Sequence, residues 1–462
     1  MTERAVVGLG WLGIVRLGLV QSALGAIVVL TTSTLNRLMV IELALPAMIP
    51  GALVALHYAV QILRPRMGYG SDVGGRRTPW IVGGMMVLAL GAVLAAAATS
   101  VMSVSFVPGL VLAVIAFLVI GLGVSAAGTN LLVLLAKQTA KDRRAAAATI
   151  VWLMMIAGFA VTAIVVGRLL EPFSFGRLIV VTSGVGVAAV LVAIAALAGI
   201  EPRALATTTG DAEAKPAMPE FRAALAEVWV DSQARRLTIF IFVSMLAYST
   251  QDLILEPFAG LLFGYTPGQS TMLSGVHHGG VFAGMVLVAV CATAIGGRWL
   301  GSLRLWTIGG CLASAAALIA VIAAGFAGPA GPLKAAVVVL GIANGAFAIA
   351  AIGTMMRMAG EGRAGREGTR MGLWGAAQGI AFGLGGFGGT VMIDVARGLV
   401  SSPSHAYALV FGIEAALFVT SAVLAFGLTE YGARGRPRDW IWTSGTRAGP
   451  TVADVPRAGA AS

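Results

Sequence analysis

Charge is what this sequence has least of. Only 11% of its 462 residues are Asp, Glu, Lys or Arg, whereas 58% are hydrophobic; a soluble domain of this length would be far more polar. The chain therefore reads as a polytopic membrane protein. Cysteine is nearly absent: Cys291 and Cys311 are the only two. Both lie inside apolar runs and read as small core residues rather than a disulfide or metal site. The four histidines, His57, His277, His278 and His405, include no two that share ligand spacing with a carboxylate on one helix, so no direct metal site is expected. No cofactor motif or activated nucleophile stands out, so no catalytic residue is assigned and no enzyme is expected. The net charge of +11 raises nucleic-acid binding, but the cations punctuate apolar runs instead of forming one patch, which argues against it. No small-residue cleavage site follows the first apolar run, so no cleavable signal peptide is expected.

What is present is a series of apolar runs of about 20 residues, the length that crosses a bilayer core. They lie near 16–35, 44–63, 79–100, 106–136, 146–167, 178–200, 237–263, 273–296, 304–326, 333–356, 371–393 and 405–428. This predicts an all-α protein of twelve membrane helices. Between the second and third runs stands Gly68-Tyr69-Gly70-Ser71-Asp72-Val73-Gly74-Gly75-Arg76-Arg77-Thr78, a short, Gly-loosened, basic turn. If that turn is cytoplasmic, the even-numbered loops and both termini are cytoplasmic too. All but Arg37, Arg168, Arg177, Lys334 and Arg397 of the 31 Lys and Arg then fall on the cytoplasmic side, as the positive-inside rule requires.

The same turn, through Gly68, Asp72, Gly75, Arg76 and Arg77, resembles the loop signature of the major facilitator superfamily. That resemblance implies two similar six-helix halves and gives Asp72 a part in locking the cytoplasmic ends of the halves together. A degenerate echo without the Asp follows the eighth run as Gly296-Gly297-Arg298, then Gly301 and Arg304. The expected division is residues 1–200, a linker over 201–236, a second half over 237–428 and a flexible cytoplasmic tail over 429–462. In the linker, Phe221, Leu225, Val228 and Trp229 stand at helical spacing, as an interfacial helix requires. The tail opens with Arg434, Arg436, Arg438, Trp440 and Trp442, an expected interfacial anchor.

Ionisable residues at membrane depth are costly and count as functional candidates. The first run ends in Asn36-Arg37, followed by Glu42 and Pro46; the seventh holds Gln251, Asp252, Glu256 and Pro257. Asp252 and Glu256 are four apart and share a helix face, and Pro257 leaves a backbone carbonyl there without its usual partner. Glu414 sits well inside the twelfth run. The plain alternative for each acid is capping or pinning of helices. His57 and Gln61 share a face of the second run, His277 and His278 open the eighth on the external side, and His405 starts the twelfth. A lone membrane histidine is most often hydrogen-bonded packing, although neutral imidazole is a good axial ligand to a metal held in a macrocycle. The eleventh run carries Trp374, Gln378 and a face of Gly375, Gly379 and Gly383, which admits either a packed helix or a flat ligand. Trp374 and Phe387 are compatible with flanking a planar ring. The first half otherwise has few titratable groups along a path, giving proton-coupled export little support.

A narrower resemblance covers nearly all of the chain up to Tyr431. The phrases Thr34 to Ala47, Gln251-Asp252-Leu253-Ile254-Leu255-Glu256-Pro257-Phe258-Ala259-Gly260 and Gly412-Ile413-Glu414-Ala415 are similar to those of the PucC/LhaA family, the bacteriochlorophyll delivery branch of the superfamily. The resemblance implies an assembly factor for the light-harvesting antenna of purple phototrophic bacteria, in the inner or intracytoplasmic membrane. It would bind or deliver bacteriochlorophyll to antenna polypeptides, its partners together with pigment and lipid bilayer. It leaves room for a carotenoid and for pigment-synthesis or protein-insertion machinery. His57 is the first choice of axial ligand to the pigment magnesium, with Gln61 at the ring edge; Asn36, Arg37, Glu42, Gln251, Asp252, Glu256, Trp374, Gln378 and Glu414 are the other ligand-binding candidates. A secondary active transporter of a small amphipathic solute is the alternative.

Overall fold

The computed structural model describes residues 9–61, 76–140, 143–201, 229–291, 300–360 and 367–428. Gly68, Asp72 and Gly75 of the loop signature, its echo at 296–298, Phe221, Leu225 and Val228 of the linker, and the tail from Tyr431 lie outside these residues. Twelve long helices run through the described chain: α1 (Trp11–Glu42), α2 (Met48–Val60), α3 (Thr78–Met102), α4 (Phe106–Gln138), α5 (Arg144–Leu169) and α6 (Phe175–Leu197), then α7 (Ser232–Phe263), α8 (Pro267–Val290), α9 (Leu303–Ala327), α10 (Leu333–Gly360), α11 (Glu367–Leu399) and α12 (Pro403–Phe426). Eleven are long and apolar enough to cross a membrane, and α2 is the shorter one. Helix is the form such segments must take, because hydrocarbon offers nothing to an unpaired backbone group. Exposed Leu12, Val107, Val180, Leu191 and Val423 give the outside the apolar face that lipid requires.

Buried apolar side chains form two clusters. One is built almost wholly from α1 to α6 and the other from α7 to α12. Val40, Ala47 and Ile156 cross into the second cluster and Leu253 into the first. The halves meet where α5 packs on α8, α2 on α11, and the last part of α1 on α7 and α8. Glycine makes these approaches possible: a Cβ at Gly275 would stand 2.7 Å from Ile164 Cγ1 and 3.0 Å from the Ala160 carbonyl.

Two boundaries differ from the sequence reading in ways that move candidate residues. The first helix does not stop near 35; it continues through two π-helical turns, Leu30–Thr34 and Leu38–Glu42, so Asn36 and Arg37 sit within it. A π-turn absorbs an extra residue without ending the helix, which apolar periodicity does not reveal. The eighth helix starts at Pro267, held by a Thr266–Gln269 capping box, so His277 and His278 lie buried three turns inside rather than at its mouth. Pro and two hydroxyl residues made that first turn look like loop. His405, by contrast, does lie in the first turn of α12.

Candidate functional site

The two acidic, proline-bearing phrases come together. Pro257 has no N–H, so the Leu253 carbonyl one turn earlier lacks its helical donor; the Asn36 side chain, 2% exposed, supplies it at 2.6 Å. Arg37 is 1% exposed. Its guanidinium pairs with Glu42 at 2.5 Å and reaches across to the Tyr265 carbonyl at 2.7 Å and the Ser270 hydroxyl at 3.2 Å. Ser33 donates to Glu256 and lies 3.2 Å from Ser274, while Thr34 and Thr271 hydroxyls meet at 3.2 Å. All of these but the Arg37–Glu42 pair, which lies within α1, join α1 to the second half. They line a buried polar seam at the end of the bundle where α1 and α7 finish and α8 begins, here called the far end. Glu42 also borders a recess of about 460 Å³ with Leu43, Leu45, Met102, Phe106 and Phe173.

A second clasp closes the same end. Asp394 near the end of α11 accepts from the backbone N–H groups of Ala47 (2.9 Å) and Met48 (2.7 Å), so an acid of one half caps the first turn of α2 in the other. At the same end Thr266 donates to Glu171, linking the turn before α8 to the end of α5.

Toward the other, basic end the halves part. Along α11, Gly385 and Gly389 are packed on α7, where a Cβ at Gly389 would come 2.7 Å from Thr250 Cγ2. Gly383 faces Tyr58 of α2, but Gly375 and Gly379, which continue its face, are exposed and would meet nothing within 4 Å. The expected glycine face therefore exists and is uncovered over its basic half. Ring contacts run from this opening into the second half: His57 to Tyr58 (4.5 Å), Tyr58 to Phe382 (5.9 Å), Phe382 to Tyr248 (5.9 Å) and Tyr248 to Phe347 (6.4 Å).

The other candidates are not gathered into one site. His57 is 1% exposed with Nε2 3.0 Å from the Gln61 amide nitrogen; axial ligation through that nitrogen requires Gln61 to swing aside. Asp252 is partly exposed within the bundle and lies in electrostatic range of Tyr248 and Glu414. Gln251 and Glu414 are fully buried, and their side-chain polar atoms have no hydrogen-bond partner. Trp374 is 0% exposed with its indole N–H unpaired, so its ring faces packing rather than the opening. Gln378 makes only a 4.0 Å contact to the Met245 sulfur. His277 belongs to a separate buried group: Asn344 Nδ2 lies 3.3 Å from its Nε2 and Ser314 donates to Asn344 at 2.8 Å.

At the basic end, Glu201 caps α3. Its carboxylate accepts from the N–H groups of Arg77 (2.8 Å) and Thr78 (2.9 Å) and from the Thr78 hydroxyl (2.8 Å). Burial pushes this carboxyl up, yet those donors and the Arg76 charge together hold it below its usual value. Arg76 and Arg77, the described part of the loop signature, thus stand where α3 begins.

The sequence reading passed over Ser33, Ser270, Thr271 and Ser274. The signal was there as two hydroxyl runs, Thr31 to Thr34 and Ser270 to Ser274, in otherwise apolar spans. Asp394 gave only the weaker signal of a lone acid near a helix end. Among the described residues no three His, Cys, Asp or Glu gather as a metal set.

Solved structures place the architecture. A bacterial homolog of the human lysosomal transporter Spinster, crystallised inward-facing and unoccupied, superposes with a TM-score of 0.65 at 17% identity, over 90% of this chain and 95% of that one. The nucleoside transporter NupG (D323A mutant) gives 0.62 at 13% identity, over 90% and 100%. The fold is that of the major facilitator transporters. Among curated proteins, the "Bacteriochlorophyll synthase 44.5 kDa chain" of Rhodobacter capsulatus is 53% identical over 93% of this chain and 98% of its own. "Protein PucC" of Cereibacter sphaeroides is 29% identical over 89% and 91%. The family model described as "PUCC protein" matches residues 34–432, and the chain is a member of that family.

Proposed function

We propose that this protein is a membrane assembly factor for a light-harvesting antenna, holding bacteriochlorophyll for delivery to antenna polypeptides. The observation that carries this reading is the 53% identity, over nearly the full length of both chains, to a relative named for bacteriochlorophyll. The geometry supports it. A flat, lipid-soluble ring with an apolar tail needs a way in from the bilayer, and the uncovered Gly375 and Gly379 beside Tyr58 offer bare backbone to a planar face. His57 with Gln61 stands next to that opening as the candidate imidazole for the central magnesium. We read the protein as a carrier and not as a synthase catalyst, because its fold is a transporter's.

The second reading, a secondary active transporter of a small amphipathic solute, draws on one observation: the halves are clasped at one end and part toward the other, as alternating access requires. Replacing the chain by a Gly379→Leu variant in a pigment-making phototrophic host separates the two. Antenna absorption falls while the protein stays in the membrane if the glycine face holds pigment; unchanged antenna with altered solute uptake would favour the transporter.

A further inference from the structure

The seam at the far end holds more negative than positive groups. Arg37 is its one guanidinium, and it faces two carboxyl groups, Glu42, which it touches, and Glu256, which lies in its electrostatic range. Glu256 is 2% exposed; one of its oxygens takes the Ser33 hydroxyl and the other has no hydrogen-bond partner. Ser33 and Ser274 stand 3.2 Å apart beside it, 7% and 5% exposed, and the Thr34–Thr271 hydroxyl pair forms the next layer. A π-helical turn presents Ser33, and such turns inside α-helices occur frequently at functional sites. With both acids counted as carboxylates, the seam is one positive charge short in a medium where an uncompensated charge is costly.

We propose that Ser33, Glu256 and Ser274 form a binding site for a small monovalent cation, Na⁺, and that its occupancy ties the two halves together at the far end. The donors are carboxylate and hydroxyl oxygens, hard ligands that suit a hard cation. One added charge balances Arg37, Glu42 and Glu256, whereas a divalent ion would leave a positive charge buried. Glu256 and Ser274 come from the second half and Ser33 from the first, so the site is complete only while the halves are closed on each other. The ion acts at the seam whatever ligand the opening at the basic end takes.

The test is thermal unfolding of the purified full chain in mild detergent, with NaCl exchanged for choline chloride at constant ionic strength. Na⁺ raises the midpoint in a saturable way and choline does not, because a ligand that binds only the folded state stabilises it by mass action. Glu256→Gln abolishes the response, while Glu201→Gln, which removes a carboxylate at the opposite end, keeps it. Should Glu256→Gln fail to fold, Ser274→Ala removes a neutral ligand and shifts half-saturation to roughly tenfold higher Na⁺, a loss of about 1.4 kcal/mol. A midpoint that responds to pH but not to Na⁺ would assign the missing charge to a proton and overturn the proposal. So would a Na⁺ response that survives both seam variants.

Discussion

Removing the Asn36 amide tests the seam most sharply, because its effect should depend on a residue that Asn36 does not replace. Asn36→Ala deletes a hydrogen bond of 2.6 Å to the Leu253 carbonyl. The lost bond is worth about 1 kcal/mol and the orphaned carbonyl in a dry seam costs a further 1–3 kcal/mol or so, giving an expected loss of about 2–4 kcal/mol. Pro257→Ala returns the N–H that a regular helix directs at Leu253. In that background the carbonyl has its own donor, and Asn36→Ala costs only the packing of the side chain. Couplings of polar pairs in membrane bundles average about 0.6 kcal/mol and reach about 1.7 kcal/mol; this buried pair belongs in the upper part of that range. Reversible unfolding in mixed detergents, run on the two single variants and the double variant, measures the coupling. A cost of Asn36→Ala that agrees in the two backgrounds to within about 0.5 kcal/mol, the level of simple additivity, would refute the reasoning.

Three further outcomes follow from the same geometry. Gly275→Ala forces a methyl to 2.7 Å from Ile164 and should cost about 1–3 kcal/mol through overpacking, whereas Gly379→Ala meets nothing within 4 Å and should be neutral or stabilise by up to about 1 kcal/mol; unfolding midpoints of the two variants check the contrast. Asp394→Ala removes both acceptors at the start of α2 and should cost about 1–2 kcal/mol, with Asp394→Asn recovering part; equal losses in the two variants would contradict the capping role. Glu201 has a depressed folded value, so its contribution is present above the ordinary carboxyl value of 4.5 and is lost as pH falls through the lower folded one. Glu201→Gln should therefore be less stable than the parent at neutral pH by about 1 kcal/mol and flatter on the acid side, and parallel stability curves for the two proteins would contradict that.

Much of this was legible in the residues. Apolar run length and the placement of Arg and Lys announce the helices, and Asn36, Arg37, Glu256 and Pro257 stand out because polar or helix-breaking residues are rare at that depth. Even the carbonyl left open by Pro257 follows from the chemistry of proline. What the residues withhold is pairing. Nothing in Thr31 to Thr34 says that the run lies on a π-turn facing Ser270 to Ser274, because an extra residue in a helix leaves no mark on composition. Nor does the eleventh run say which of its glycine faces is packed: Gly385 and Gly389 meet α7 while Gly375 and Gly379 stand open, and the spacing of four is the same for both. His277 and His278 look like the opening of the eighth helix because its true start, at Pro267 behind a Thr266–Gln269 capping box, is a turn rich in hydroxyls and proline.

Direct binding of bacteriochlorophyll is the proposed property on which the carrier reading stands. The most direct measurement is the absorption spectrum of the protein purified in mild detergent from a pigment-making phototrophic host, against a mock purification from the same host. Near-infrared bands at stoichiometric level, diminished in the Gly379→Leu variant at equal folded protein, are the predicted result. A well-folded but colourless protein would contradict it.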